Sequence, residues 1–189
     1  INQCLKEARD CPAEVVTVFE DEFSFYRFPT VANIYAPAGS EQPVARIVPG
    51  YNSRSRVAII VNAVTGKIIY RQRSRLNVPQ MVHLLEDVRQ TYPQARVINY
   101  IQDNWHNVHF HPRQVSAAER LNIQLIPLPV YAPWLNPTEK VGRRMRQEVI
   151  HMHNLSDDWK ELTRCVSAFL DQFTNGSSEL LKYIGLSPG

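Results

Sequence analysis

"ARVINYIQD", Ala95 to Asp103, is a short and almost unbroken apolar run that ends on an acid. Its length and its β-branched content predict a strand buried on both faces, the kind found where helices cover both sides of a sheet. Downstream, "SAAERLN" predicts a short helix and "IQLIPLP" a further strand. A helix opened by Pro137 follows, then one from Asp157 to Phe173 with Trp159, Leu162, Val166, Phe169, Leu170 and Phe173 at helical spacing. Upstream, "VPQMVHLLEDVRQTY" sets Met81, Leu84, Leu85 and Val88 on one helical face and is closed by Pro93. "SRVAIIVNAVTGKIIYRQR" reads as a hairpin about Thr65-Gly66, and "AEVVTVFEDEFSF" (Ala13 to Phe25) as a strand. Antiparallel strands followed by alternating strands and helices predict an α/β fold, a mixed sheet covered by helices. Pro29 to Pro49 is a long Pro/Gly-rich connection, either a functional loop or an additional small hairpin.

A length of 189 residues fits one domain with a proper core, and 44% hydrophobic with 21% charged residues places the chain among ordinary globular proteins. No apolar run approaches the ~20 residues of a membrane span, and the start does not read as a signal peptide. Cys4, Cys11 and Cys165 show no CxxC spacing, which argues against a disulfide framework or a zinc site and for a reducing compartment. A net charge of +3 permits a nucleic-acid partner without requiring one. The chain begins at Ile1 in what reads as the end of a helix, so residues 1–14 are expected to close a preceding linker or helix and 15–189 to form the domain.

Three acids stand out by position. Asp21 lies in or at the end of the first strand between Glu20 and Glu22, either of which could be the inward residue instead. Asp103 ends the buried strand, and Glu139 opens the helix after Pro137. Each has an ordinary reading: a solvated strand end, Asp-Asn turn chemistry, and a capping box in which Glu139 reaches back to Asn136. Taken together, acids converging at strand ends would repel one another unless a cation sat between them. Oxygen-only ligands suit Mg²⁺ or Mn²⁺.

"QDNWHNVH" (Gln102 to His109) and "LPVYAPWLNPTEKV" (Leu128 to Val141) resemble the second and third acid motifs of DDE-type transposases, in the mariner-like superfamily and its bacterial insertion-sequence branch. The 35 residues between Asp103 and Glu139 fit that family's spacing. "VFEDEFSFYRFPT" is similar to its first-acid strand, and "IYAPAGSEQPV" to the segment that follows. Ala132 stands where Ser is usual, Tyr35 where Trp is frequent, and Gly142 where Trp commonly follows the Glu.

The resemblance implies an RNase H-like fold with a five-stranded mixed sheet and helices on both faces. It also implies metal-dependent DNA strand cleavage and strand transfer in transposition, with Asp21, Asp103 and Glu139 holding two Mg²⁺ or Mn²⁺ ions. Its partners would be transposon ends and target DNA, with a homodimer in the active complex and no membrane. The setting would be the bacterial cytoplasm at the nucleoid, and the helix-turn-helix region of such proteins is not represented here. Helical geometry puts Arg143 and Arg146 on the side of Glu139, with Val141, Met145, Val149 and Met152 opposite. Arg143, Arg146, Lys140, Arg54 and Arg56 are the expected DNA contacts, the last two within an arginine stripe (Arg71, Arg73, Arg75) that is otherwise a solvated surface. Glu22, Asn104, Trp105, His109, Trp134 and Asn136 are expected to line the site. His109 matches the family's histidine, and the neighbouring His106 and His111 are expected to be loop residues rather than zinc ligands. Two alternatives keep the fold: an RNase H-like nuclease or resolvase without strand transfer, and a DNA-binding descendant whose catalysis has lapsed.

Overall fold

The first helix, α1 (Asn2–Asp10), packs onto the strand that follows it: Ala8 is buried and the Thr17 hydroxyl donates to the Cys4 carbonyl. The elements after it are β1 (Val15–Tyr26), β2 (Arg54–Asn62), β3 (Ile68–Arg73), α2 (Val78–Thr91), β4 (Val97–Gln102), α3 (His106–His109), α4 (Pro112–Arg120), β5 (Ile123–Pro127), α5 (Thr138–Met145), α6 (Trp159–Asp171) and α7 (Ser178–Ile184). This computed structural model describes residues 1–30, 39, 45, 47–104, 106–130 and 132–187. Most of the Pro29–Pro49 connection, with Tyr35, and Trp105 lie outside the described residues.

The sheet is mixed, in the order β3-β2-β1-β4-β5. β1 pairs antiparallel with β2 and parallel with β4, so it is the central strand. Successive side chains on a strand point to opposite faces, and the sequence of β1 fills two cores accordingly. Phe19, Phe23 and Phe25 pack with Val57, Ile59 and Val61 under α5, α6 and α7, through Val141, Met145, Leu162, Val166, Phe169 and Leu180. Val16 and Val18 pack with Ala58, Ile60, Ile98 and Tyr100 under α2 and α4, through Met81, Leu84, Leu85, Val88, Ala117 and Ala118. The RNase H-like arrangement expected from the sequence is the one observed, with helices on both faces.

Local departures have physical causes. α4 starts earlier than its apolar pattern suggests, because the His111 side chain caps it by accepting from the Arg113 N–H and Pro112 follows at the first position. α7, which the sequence reading did not anticipate, is locked to the hairpin: Ser177 N–H donates to Thr65 O at 2.9 Å. Gly66 is required at that contact, since it has φ +67° and a Cβ there would lie 2.4 Å from Ser177 O. After Met145 the helix of Glu139 widens into a π turn, Arg146–Ile150. That turn displaces the expected stripe: Ile150 is buried in place of Val149, and Met152 falls beyond the helix at φ +52°.

Candidate active site

The alternation of β1 decides what its three consecutive acids do. Glu20, opposite Ile60, turns into the α2–α4 face and is wholly buried. Asp21, opposite Ile59, turns toward α5. Glu22 follows with its N–H donating to Asp21 Oδ1 at 2.9 Å.

His109 closes the Glu20 side. It is fully buried, with Nε2 3.1 Å from Glu22 Oε1 and 3.3 Å from Glu20 Oε2, and Nδ1 2.9 Å from Asp103 Oδ1 and 3.0 Å from Asp103 O. Burial by itself would lower the imidazole's pKa. The hydrogen bonds to Asp103 and Glu22 and the charges of Glu20 and Glu22 outweigh that and push it up to about 11. His109 is therefore an imidazolium bridging the acids of β1 to the end of β4. Behind it Gln102 donates to the His109 carbonyl and Gln114 donates to Gln102, both side chains buried. The carboxyl of Glu20, desolvated and beside Glu22, sits well above its usual range.

The Asp21 side is open. A cavity of about 170 Å³ is lined by Asp21, Glu22, Glu139, Arg143 and Arg146, with Phe23 and Gly142 forming its wall. Carboxylate oxygens of Asp21, Glu22 and Asp103 lie within 4.8 Å of one another. Glu139 lines the cavity from the first turn of α5 but is outside that tight group. Its carboxylate makes no hydrogen bond among the described residues, so the capping box read from the sequence does not form and Glu139 is left facing Asp21. Desolvation, then the charge of Glu22, then those of Glu139 and Asp103 push Asp21 up to about 7, against the pull of the Glu22 N–H. All the donors of that group are carboxylate oxygens, which fits Mg²⁺ or Mn²⁺.

The loop that delivers Glu139 is pinned rather than merely stiff. Asn136 Nδ2 donates to Glu20 O at 2.8 Å, while its Oδ1 accepts from the Thr138 N–H and hydroxyl. Asn104 Nδ2 donates to Leu128 O at 2.7 Å, and Leu128 N–H donates to Gln102 O, tying the exit of β5 to the acid-bearing end of β4. Asn104 and Asn136 thus brace the site. Trp134, on a 3₁₀ turn at Pro133–Leu135, is 76% exposed.

Among the basic residues, Arg143 and Arg146 reach the cavity. Arg144, between them, turns the other way, pairing with Glu148 and Glu179 and lying over the Phe173 and Tyr183 rings. Lys140 is not brought to the cavity; its ammonium donates to Ile184 O at the end of α7. Arg54 and Arg56 lie on β2, on the opposite sheet face from Asp21. Glu20, Gln102 and Gln114 as the surroundings of His109 escaped the sequence reading. Strand parity alone pointed to Glu20, and nothing local marked the glutamines.

A two-faced RNase H-like sheet with carboxylates gathered midway along β1, just beyond β4 and at the start of α5 defines a class of metal-dependent nucleic-acid enzymes. The profile of the DDE superfamily endonucleases matches residues 16–163, and the chain belongs to that family. It is similar to the insertion element IS630 uncharacterized 39 kDa protein of Shigella sonnei, 26% identical over 180 residues, which cover 94% of this chain and 52% of the relative. The chain thus spans about half the length of that relative. Among solved structures it is similar in fold to a pre-cleavage Mos1 transpososome (TM-score 0.66, 15% identity, 97% of this chain, 57% of that one). The Mos1 mariner paired end complex with Mn gives 0.64 at 14% identity, over 97% and 56%. The catalytic core domain of BIV integrase gives 0.51 at 12% identity, over 82% and 80%.

Proposed function

We propose that this domain supplies the chemistry of DNA transposition, cleaving a DNA strand at a transposon end and joining the freed 3′-hydroxyl to target DNA. One observation carries the reading: Asp21, held up to about 7 by burial and then by like charges, shares a cavity with two arginines. Such a place lacks a cation on one side and an anion on the other, which a metal-bound phosphodiester supplies together.

Asp21, Asp103 and Glu139 would hold two Mg²⁺ or Mn²⁺ ions, with Glu22 beside them. Bound there, the ions would lower the pKa of the attacking hydroxyl and take up charge on the leaving oxygen. The chain's own part is placement. Asn136 fixes Glu139 relative to β1, His109 fixes Asp103 relative to Glu22, and Arg143 and Arg146 orient the phosphates beside the scissile one. Arg54 and Arg56 are assigned to DNA further along the duplex, and Trp134 to the rim of the site. The active complex is a homodimer on two transposon ends, at the nucleoid in the cytoplasm. No described helix is long and apolar enough to cross a membrane.

The test is anomalous scattering from crystals soaked in Mn²⁺. Peaks bounded by Asp21, Asp103 and Glu139 are expected. Saturating Mn²⁺ with no peak there would remove the chemistry from the proposal.

A further inference from the structure

The β2–β3 register puts Arg56 directly across from Arg73, and Ala58 across from Arg71. Opposed residues of an antiparallel pair share a face, so Arg54, Arg56, Arg71 and Arg73 all project from one side of the hairpin. Like charges in opposed positions destabilise a sheet unless something of opposite sign lies between them. Among the described residues only one of the four has such a partner: Arg71 clamps the Asp87 carboxylate through Nε at 2.5 Å and Nη2 at 2.8 Å. Arg54 and Arg56 make no hydrogen bond or ion pair among the described residues, and Arg56 Nε is buried without an acceptor. Among the described residues Arg73 reaches only the neighbouring Gln72 carbonyl. Arg54 and Arg73 are exposed, so the face is open to a ligand.

Their position is equally specific. Arg56 pairs with Ser24, three residues beyond Asp21 along β1. At ~3.3 Å per residue and ~4.8 Å between strands, that is about 10 Å along the sheet and one strand across, with Arg73 one strand further. The arginines therefore sit at the same end of the sheet as Asp103. Glu22, on the arginines' own face, belongs to the acid group of Asp21 as well as to that of His109. One DNA strand presents a phosphate every ~3.4 Å of helix axis, so a backbone leaving the acid site crosses these arginines within a few nucleotides.

We propose that Arg54, Arg56 and Arg73 form a second, sequence-independent contact surface for the DNA phosphate backbone, outside the acid cavity. This rests on the reading that the domain acts on DNA. Arg71, neutralised by Asp87, is a structural member of the same face and not part of the surface.

The experiment is fluorescence anisotropy of this 189-residue chain with a labelled random-sequence duplex over a KCl series. Each phosphate contact contributes about 0.9 to the slope of log K against log salt. The triple variant Arg54→Gln, Arg56→Gln, Arg73→Gln is expected to lower that slope by about 2 to 3. Arg71→Gln is expected to lower the melting temperature and leave the slope unchanged. If the triple variant does not fold by circular dichroism, the exposed single variants Arg54→Gln and Arg73→Gln each read out a loss of about 0.9. An unchanged slope in folded variants overturns the proposal. So does an equal loss from Arg71→Gln, or displacement of the duplex by millimolar inorganic phosphate at constant ionic strength, which would mark a small-anion site. Mn²⁺ binding is measured on the same proteins. Retained metal binding with no effect of the arginines sinks this surface while the acid site stands, whereas lost metal binding with a reduced slope does the reverse.

Discussion

Glu20 and Asp21 are neighbours on one strand and meet opposite surroundings. Glu20 is sealed between the sheet and α2–α4 with the His109 imidazolium beside it. Asp21 opens on a cavity where the charges acting on it are those of Glu22, Glu139 and Asp103, all of its own sign. Burial raises both carboxyls, but Glu20 has the His109 ring 3.3 Å away, whereas Asp21 shares its cavity with two arginines that make no ion pair with it among the described residues. The difference separates an acid enclosed between sheet and helices, its two oxygens without a hydrogen-bond partner among the described residues, from one that faces a cavity with other acids. A buried charge is retained in a stable protein when a partner offsets its desolvation. An acid held high by like charges in a cleft marks a functional site.

The comparison breaks most visibly at Asp21→Asn. Metal-dependent strand cleavage by a longer protein carrying this domain should fall about a thousandfold or more, since several kcal/mol of transition-state stabilisation goes with the metals. The same variant in EDTA should melt higher than the parent, because a repelled carboxylate has been removed; a lower melting temperature would contradict the account of the open side. On the closed side, His109→Ala should cost about 3–5 kcal/mol in urea unfolding by leaving buried acid without a cation. Adding Glu20→Gln to it should recover much of the loss, and failure to do so would mean that Glu20 is not what His109 offsets.

The two sides should also titrate differently. Asp21 has its folded value raised from 3.8 to about 7, so in metal-free protein its ionisation penalises folding increasingly from about pH 4 to pH 7. Cations must compete with its proton below pH 7. Melts with and without Mn²⁺ should therefore show a small metal-induced rise at pH 5.5 and a large one above pH 7. His109 is raised from 6.5 to about 11, so its stabilisation is full below pH 6.5 and is lost progressively up to pH 11. A metal effect that does not grow between pH 5.5 and pH 8 would count against Asp21 as a ligand. The smallest expected effect is at the cavity wall. A Cβ on Gly142 would meet Phe23 at 3.6 Å, an ordinary contact, so Gly142→Ala should fold normally and gain up to about 1 kcal/mol of helix stability in thermal melts.

Much of this was legible in the chain itself. Strand alternation in "VVTVFEDEF" and helical spacing in "VPQMVHLLEDV" are local patterns, and the structure follows them, with Met81, Leu84, Leu85 and Val88 all buried on α2. The motifs about Asp103 and Glu139 pointed to the family, and the positions of Arg143 and Arg146 beside Glu139 followed from 3.6 residues per turn. Lys140 shows where reading by neighbourhood stops: it was expected among the DNA contacts next to Glu139, and a carbonyl at Ile184, 44 residues away, claims it. The same is true of the π turn that displaces Val149 and Met152 from the expected stripe.

What the sequence by itself determined is the order of elements apart from α3 and α7, the inward faces of β1, α2 and α6, and three acids, one within β1, one just after β4 and one in the first turn of α5. Which of Glu20, Asp21 and Glu22 stands in the cavity was decided only in three dimensions. Parity says that Glu20 and Asp21 face opposite ways, but not which way is covered. That depends on His109 arriving from beyond β4 and on Asn136, 116 residues from Glu20, fastening α5 over the other face. Local periodicity fixes how a chain turns its side chains; what each side chain then meets is settled by contacts between segments far apart in sequence.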